Sequence, residues 1–152
     1  DAFPRRPWTN PSWNVVARDY TKTAFKEMYD YSVETATKGP QKLTYVSWAE
    51  AWGKLKELHP TATYHVHENS NGMPYFYDEL LGAFVKVSVT VMGVTHTSHL
   101  PVMNHSNKSA LKGQIDVVLI NKNIQRAFAK AIAMHGIGLR VYKGEDYPED
   151  EK

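Results

Sequence analysis

The stretch AFVKVSVTVMGVTHTSHLPVM, residues 83–103, decides the fold. In its first half valines alternate with Lys86, Ser88 and Thr90. A period of two is typical of a β-strand that has one buried face and one face in water. Gly93 supplies a tight turn, after which residues 94–103 form a second strand. The stretch therefore predicts an antiparallel hairpin.

A third strand is predicted just before this hairpin. Residues 61–68 alternate and are rich in β-branched and aromatic side chains, and Asn69-Ser70-Asn71-Gly72 is a turn signal. The three strands together predict an antiparallel sheet.

A long helix is predicted to follow the sheet over residues 116–135, and Gly136 and Gly138 end it. Its apolar positions share one face, which we expect to be buried: Ile120, Ile124, Phe128, Ala131 and Ile132.

Two helices are predicted before the sheet. One covers about residues 13–37, with Ser12 as its cap. The other begins at a capping box formed by Ser47 and Glu50 and ends before Pro60. The fold class is α+β, in the order α-α-β-β-β-α: an antiparallel three-stranded sheet packed on a long helix, with additional N-terminal helices.

The length of 152 residues suits one compact domain. Residues 1–38 are expected to form an N-terminal arm and helix with oligomer contacts, because tryptophans lie among prolines there. Residues 39–144 form the core domain, and residues 145–152 form an acidic tail or the start of a linker. Asp1 in place of Met indicates a fragment or a trimmed chain.

Several classes of protein are excluded by composition. The chain has no cysteine, which excludes disulfide scaffolds, thiolate metal sites and cysteine nucleophiles. No apolar run approaches the length of a membrane span, nothing resembles a signal peptide, and no phosphate-binding glycine motif occurs. The sequence predicts no catalytic site, no cofactor and no membrane partner.

The net charge of +2 is a cancellation. Residues 1–79 are close to neutral and residues 145–152 are acidic, whereas residues 80–144 contain eight basic residues and one acid, Asp116. A long stretch with a single carboxylate is typical of a surface that binds a polyanion, although a solvated basic surface without a ligand gives the same count.

Within this basic segment, Lys122, Arg126 and Lys130 are spaced four apart on the long helix. At about 100° per residue they form a stripe roughly opposite the apolar face, which matches a phosphate backbone. Two lysines in the loop before the helix, Lys108 and Lys112, add positive charge near this stripe. A merely solvated polar face is the alternative. Aromatic residues around the predicted sheet could stack on bases beside these cations, but a place in the core or an interface is the better interpretation for most of them. Tyr45 and Tyr75 are the two for which this choice stays open.

The histidines suggest a rival interpretation. His65 and His67 share a face of their strand, and His96 and His99 follow in the hairpin, so four imidazoles on one sheet could bind zinc. Because His96 and His99 are three apart, however, they face opposite sides of a regular strand, and cross-strand polar pairing is the alternative.

Two longer strings resemble a known family. NKNIQRAFAKAIAMHGIGLRVYKGE (residues 121–145) and YVSWAEAWGKLKELHPTATY (residues 45–64) are similar to the Sak-type single-strand DNA annealing proteins of phages. The segments GMPYFYD and LPVM extend the resemblance over about residues 39–148. The family is similar to the Rad-type recombination mediators and, more distantly, to Red-beta.

The resemblance implies a β-β-β-α core that assembles into rings or filaments and anneals single-stranded DNA in a basic groove, without nucleotide hydrolysis. A segment of the Rad-type proteins is matched by Gly39, Gln41, Lys42 and Tyr45, and a basic position of their long helix by Lys130. At a second position that is basic in the Rad-type proteins, this chain has Ala133. The full set of groove residues therefore does not carry over from those proteins. The candidate DNA-binding residues are Lys130, Arg126, Lys122, Lys112, Lys108, Lys86, Lys42, Tyr45 and Arg140.

The expected partners are single-stranded DNA, the annealed duplex intermediate and further copies of the chain, with a phage exonuclease and the host single-strand binding protein as candidates. The expected location is the cytoplasm of a bacterial host. Three alternatives stay open: a double-stranded RNA-binding module, a histidine-metal enzyme and a purely structural ring-forming protein.

Overall fold

The computed structural model describes residues 23–38, 43–104 and 108–145 of the chain. The elements are, in chain order, α1 (Phe25–Asp30), β1 (Ala36–Lys38), β2 (Leu43–Tyr45), α2 (Trp48–Leu58), β3 (Thr63–Val66), β4 (Phe76–Asp78), β5 (Gly82–Val91), β6 (Val94–Pro101), a 3₁₀ turn (Lys112–Gln114), α3 (Val117–Met134) and α4 (Leu139–Glu145).

The predicted hairpin is confirmed as β5 and β6. The two strands pair antiparallel in one unbroken register, from Phe84 opposite Pro101 to Val91 opposite Val94. Met92 and Gly93 close the turn with φ values of 52° and 81°. Positive φ at both central residues is the turn geometry that matches the twist of the flanking strands.

The sheet contains four strands, so the prediction of three is wrong in number. Since β6 covers one edge of β5, both β3 and β4 lie along the other edge, where they pair with opposite ends of β5. The sheet is therefore three strands wide. The strand that sequence reasoning missed, β4, has only three residues and forms through its pairing with β5.

The predicted long helix is confirmed as α3. Asp116 caps it, because its Oδ1 accepts a hydrogen bond from the Leu119 N–H at 2.9 Å. The helix packs across β5 and β6. The facing valines of β5 are 0% exposed, and on α3 the predicted apolar face is buried except for Ile124, which is half-buried.

The C-terminal end of α3 packs against α1. Met28 of α1 is fully buried in the core. Gly136 has φ +126°, and a Cβ built there would lie 2.9 Å from the Tyr29 backbone nitrogen and 3.1 Å from the Phe25 carbonyl oxygen. Only glycine fits this close approach of two backbones without strain.

The first predicted helix is wrong at its C-terminal end, and its first ten residues lie outside the described ranges. The chain leaves the helix at Tyr31, which is extended at φ −71° and ψ 129°. Residues 36–38 then form a strand instead, with Ala36 opposite Tyr45 in a two-stranded sheet. Two β-branched threonines in this segment, Thr35 and Thr37, favour extended backbone.

The second predicted helix is confirmed as α2. A capping box consists of two reciprocal hydrogen bonds, and only one of them forms here. Ser47 Oγ accepts a hydrogen bond from the Glu50 N–H at 3.1 Å. The Glu50 carboxylate does not return to Ser47, because it accepts from the Glu34 N–H at 2.8 Å. This contact connects the start of α2 to the segment before β1.

In the described part of the chain, no helix is both long and apolar enough to cross a membrane.

Replacing Gly136 with alanine should destabilise the protein by about 2–4 kcal/mol, since the methyl group meets the α1 backbone and the positive φ is strained. The control is Gly53→Ala in α2, where a Cβ meets nothing within 4 Å. That change should stabilise the protein by up to about 1 kcal/mol. Chemical denaturation measures both, and equal stability of the two variants would contradict the close packing of α1 on Gly136.

Stability should also fall as pH is lowered, because of one buried histidine. His135 is 1% exposed, and its Nε2 donates to the Val89 carbonyl oxygen at 2.8 Å. Burial lowers the pKa of His135 from 6.5 to about 4. Between pH 6.5 and about 4, the unfolded chain therefore binds a proton at His135 and the folded chain does not. The free energy of unfolding falls by up to roughly 3 kcal/mol over this range. Denaturation midpoints at several pH values should show this slope, and His135→Gln should flatten it. An unchanged slope in that variant would contradict the assignment.

Candidate nucleic-acid interface

The predicted basic side of the long helix faces solvent. Lys122, Arg126 and Lys130 are all exposed on α3, on the side away from the sheet, and we call these three residues the α3 stripe. Successive members are four residues apart, which corresponds to about 6 Å along the helix axis. The placement predicted from the helical spacing is confirmed.

The α3 stripe has no carboxylate partner in the described part of the chain. Among the residues that the structure describes, no carboxylate lies within 4.0 Å of these three side chains. Arg126 is also oriented by its own helix, because an Nη of Arg126 lies 3.4 Å from Asn123 Oδ1. The Asn123 amide in turn donates to the Leu119 carbonyl at 2.9 Å. The stripe thus presents three uncompensated cations, one of them positioned by a neighbouring amide.

Ala133 cannot be replaced by a cation without cost. This position, basic in the Rad-type proteins, is 2% exposed here and lies in the packed C-terminal half of α3. A charge there would be buried without a partner. Compared with the arrangement that the resemblance implies, the basic residues of this chain therefore lie closer to the N-terminal half of the helix, where Lys122 and Arg126 are exposed.

Lys108 and Lys112 lie before α3 and are both exposed. Lys112 Nζ is 3.7 Å from Glu79 Oε1 and 5.9 Å from the centre of the Tyr77 ring, so it is associated with β4 and the turn that follows. The Lys108 backbone N–H donates to Asn104 Oδ1 at 3.2 Å, and the residue is exposed.

Lys86 is not on the same side of the chain as the α3 stripe. It pairs with His99 across β5 and β6, and alternates with valines that point toward α3. Because neighbouring residues of a strand face opposite ways, Lys86 projects from the sheet face opposite α3. A single copy of the chain therefore does not join Lys86 to the stripe in one groove.

Arg140 makes contacts within the chain. Its Nη2 lies 2.8 Å from Asp30 Oδ1, and its guanidinium carbon lies 4.0 Å from the centre of the Tyr29 ring. Hydrogen bonds and ion pairs with Lys26 and then Arg140 lower the pKa of Asp30. These contacts connect α4 to α1, and binding of DNA by Arg140 stays a prediction.

Tyr45 lies beside acidic residues. With Glu34 and Glu50 it lines a depression of about 460 Å³ between the β1–β2 sheet and the start of α2. Two carboxylates beside this ring do not favour a phosphate there. Tyr75, the other aromatic candidate, is half-buried and packs against the core, while Lys42, Gln41 and Gly39 lie outside the described residues.

The histidines divide between the two sheet faces, as their spacing predicted. His65 and His67 lie together with ring centres 4.6 Å apart, whereas His96 contacts the buried His135 at 4.5 Å. No group of three histidine or acidic side chains that could hold a metal occurs in the described ranges.

Sequence reasoning missed an aromatic cluster next to α3. Phe128 is its centre, with ring centres of Tyr64, Trp52 and Trp48 at 4.7, 5.2 and 5.9 Å. The signal was present in the sequence, since Trp48 and Trp52 are four apart on α2. The cluster joins α2, β3 and α3, and thereby fixes the direction in which the α3 stripe points.

These features define a class of protein: a two-layer α+β chain with a row of exposed cations on the outer side of its long helix. A family model described as "Sak Single Strand Annealing Protein" matches residues 20–152. The chain therefore belongs to the Sak family of single-strand annealing proteins, and the resemblance is confirmed. Comparison with curated proteins gives no match, and comparison with solved structures gives none either.

If Arg140 acts as the link between α4 and α1, its effect on stability should depend on Asp30. The double variant Arg140→Gln with Asp30→Asn should then be destabilised by less than the sum of the two single changes. A thermal-unfolding double-mutant cycle measures this coupling. Lys122→Gln, which removes a cation without a carboxylate partner, is the control and should leave the melting temperature unchanged. Strictly additive effects of the Arg140 and Asp30 changes would contradict the link.

Proposed function

We propose that this protein anneals complementary single strands of DNA during recombination, without nucleotide hydrolysis, and that the α3 stripe contacts the phosphate backbone. The observation that carries the proposal is the row of three exposed cations, which have no carboxylate partner among the described residues, in a chain that belongs to a single-strand annealing family.

The physical requirement for annealing is the removal of repulsion. Two DNA strands repel one another through their phosphate charges. Cations along each backbone reduce this repulsion and so lower the free-energy barrier to pairing. Contacts to phosphates carry no sequence information, which suits a protein that must accept any sequence. No enzymatic step and no cofactor is needed for this activity.

One copy of the stripe is too short to align a strand. From Lys122 to Lys130 it covers about 12 Å of helix. We infer that further copies of the chain repeat the stripe side by side, in a ring or filament with a Rad-like core, and so form a continuous basic groove. Lys108, Lys112, Lys42, Tyr45 and Arg140 stay candidates for contacts outside the stripe. A phage exonuclease and the host single-strand binding protein stay candidate partners.

The RNA-duplex alternative gains no support from the architecture. That module places three strands between two helices, whereas β3–β6 here form a four-stranded sheet and two helices, α3 and α4, follow it. Competition between single-stranded DNA and duplex RNA for the protein distinguishes the two functions.

Charge reversal on the stripe should slow annealing. Arg126→Glu and Lys130→Glu should each reduce the rate of pairing of complementary oligonucleotides by about tenfold or more, because a carboxylate then repels the phosphates. The milder changes Arg126→Gln and Lys130→Gln should each lower the slope of log affinity against log salt by about one. A fluorescence-quenching annealing assay and a salt series of binding measurements give these quantities.

Lys26→Glu is the matched control, since it alters the net charge equally at an exposed position of α1 outside the stripe. It should anneal at close to the wild-type rate. If Arg126→Glu and Lys130→Glu fold and also anneal at that rate, the stripe is not the phosphate contact.

A further inference from the structure

Three imidazoles and one ammonium group lie together on the sheet face opposite α3. We call His65, His67, Lys86 and His99 the histidine face. The strand register places them there: Lys86 is opposite His99, His65 is opposite Ser88, and the His67 N–H donates to the Lys86 carbonyl at 3.0 Å. Lys86 and Ser88 share one side of β5 because they are two residues apart.

This face is accessible to a ligand. His65 and His99 are exposed, and His67 and Lys86 are half-buried. On the other side of the sheet the valines of β5 are fully covered. The two faces of the same strands are thus unlike, and only the valine face is packed under α3.

The histidine face combines one ammonium group with three imidazoles. Among the described residues, no carboxylate lies within 4.0 Å of these four side chains. The nearest acids along the strands are Glu68, which follows His67, and Asp78 at the end of β4. The Asp78 carboxylate is already engaged, since its Oδ2 accepts from the Leu80 and Leu81 N–H groups at 2.9 Å.

Flat rings and hydroxyl groups accompany these charges. Phe76 and Phe84 stack with their centres 5.1 Å apart, and His99 lies 6.0 Å from Phe84. His67 Nε2 is 2.7 Å from Ser88 Oγ, which is 2.7 Å from Thr97 Oγ1. Rings that stack on bases, beside cations that meet phosphates, are the chemistry by which a sheet binds a single strand.

We propose that the histidine face is a second contact surface for single-stranded DNA, distinct from the α3 stripe, whose affinity rises as the pH falls. The proposal extends the proposed function, because it assumes that single-stranded DNA is the ligand of the protein. It assigns a role to four residues on the side of the sheet that the stripe does not reach.

The pH dependence follows from the imidazoles, because a phosphate chain binds a protonated imidazole more tightly than a neutral one. Burial, and then the neighbouring Lys86, His65 and His99, lower the pKa of His67. A bound phosphate chain cancels the repulsion among these groups and favours their protonated forms. Binding therefore takes up protons, and affinity must rise as the pH falls toward the usual imidazole range. The α3 stripe contains no imidazole, so it contributes no such dependence.

The first test compares affinities for labelled oligodeoxythymidylate at about pH 8 and about pH 6. In the wild type the affinity should rise about tenfold, which corresponds to an average uptake of about half a proton. For each protein, the affinity at the lower pH is divided by its own affinity at the higher pH. In the double variant His65→Gln with His99→Gln, most of the rise in this ratio should be lost. Lys122→Gln is the control: it should bind more weakly at both pH values and keep the ratio.

A second measurement needs no variant. Calorimetric titration of the wild type with the same oligonucleotide, in two buffers of different ionisation enthalpy, should show proton uptake on binding. The proposal is overturned if no uptake is seen, or if the double variant keeps the wild-type pH ratio. It is equally overturned if the double variant changes only the molar mass in light scattering, since a second copy then covers the face. Failure to bind at the higher pH would instead contradict the proposed function.

Discussion

The packing of the β5 valine row against α3 is the constraint on which the rest of the structure depends. These valines are 0% exposed, and they face the buried side of the helix. Successive side chains of a strand point to opposite faces of the sheet. A shift of the pairing register by one residue would therefore expose the valines to water and point Lys86 toward the core. The two-residue turn at Met92 and Gly93 fixes the register and prevents that slip. The hairpin thereby determines which side chains of β5 and β6 face α3 and which face away from it.

Two surfaces of different chemistry result from this single constraint. On the outer side of α3 lie one guanidinium and two ammonium groups, those of Arg126, Lys122 and Lys130. On the far side of the sheet, three imidazoles accompany the ammonium group of Lys86. The sheet and the helix separate the two surfaces, so a strand bound to one is not blocked by the other within the same copy. A protein that brings two strands together has a use for both arrangements.

Local patterns were enough to predict much of this fold. The alternation in β5 and the cap at Ser47 depend on residues close in sequence, and the structure contains both. The short strands β1, β2 and β4 have three residues each and no pattern of their own, because pairing partners create them. For the candidate site, helical spacing predicted the exposure of the α3 stripe. It could not predict that Arg140 pairs with Asp30, 110 positions away, or that Lys86 lies on the opposite face.

The most direct test of the central claim is an electron cryomicroscopy structure of the full chain bound to single-stranded DNA. Repeated copies of the chain are expected, with DNA phosphates about 3–4 Å from the side-chain nitrogens of Lys122, Arg126 and Lys130. A bound strand whose backbone runs elsewhere, with these three side chains still free in solvent, would contradict it.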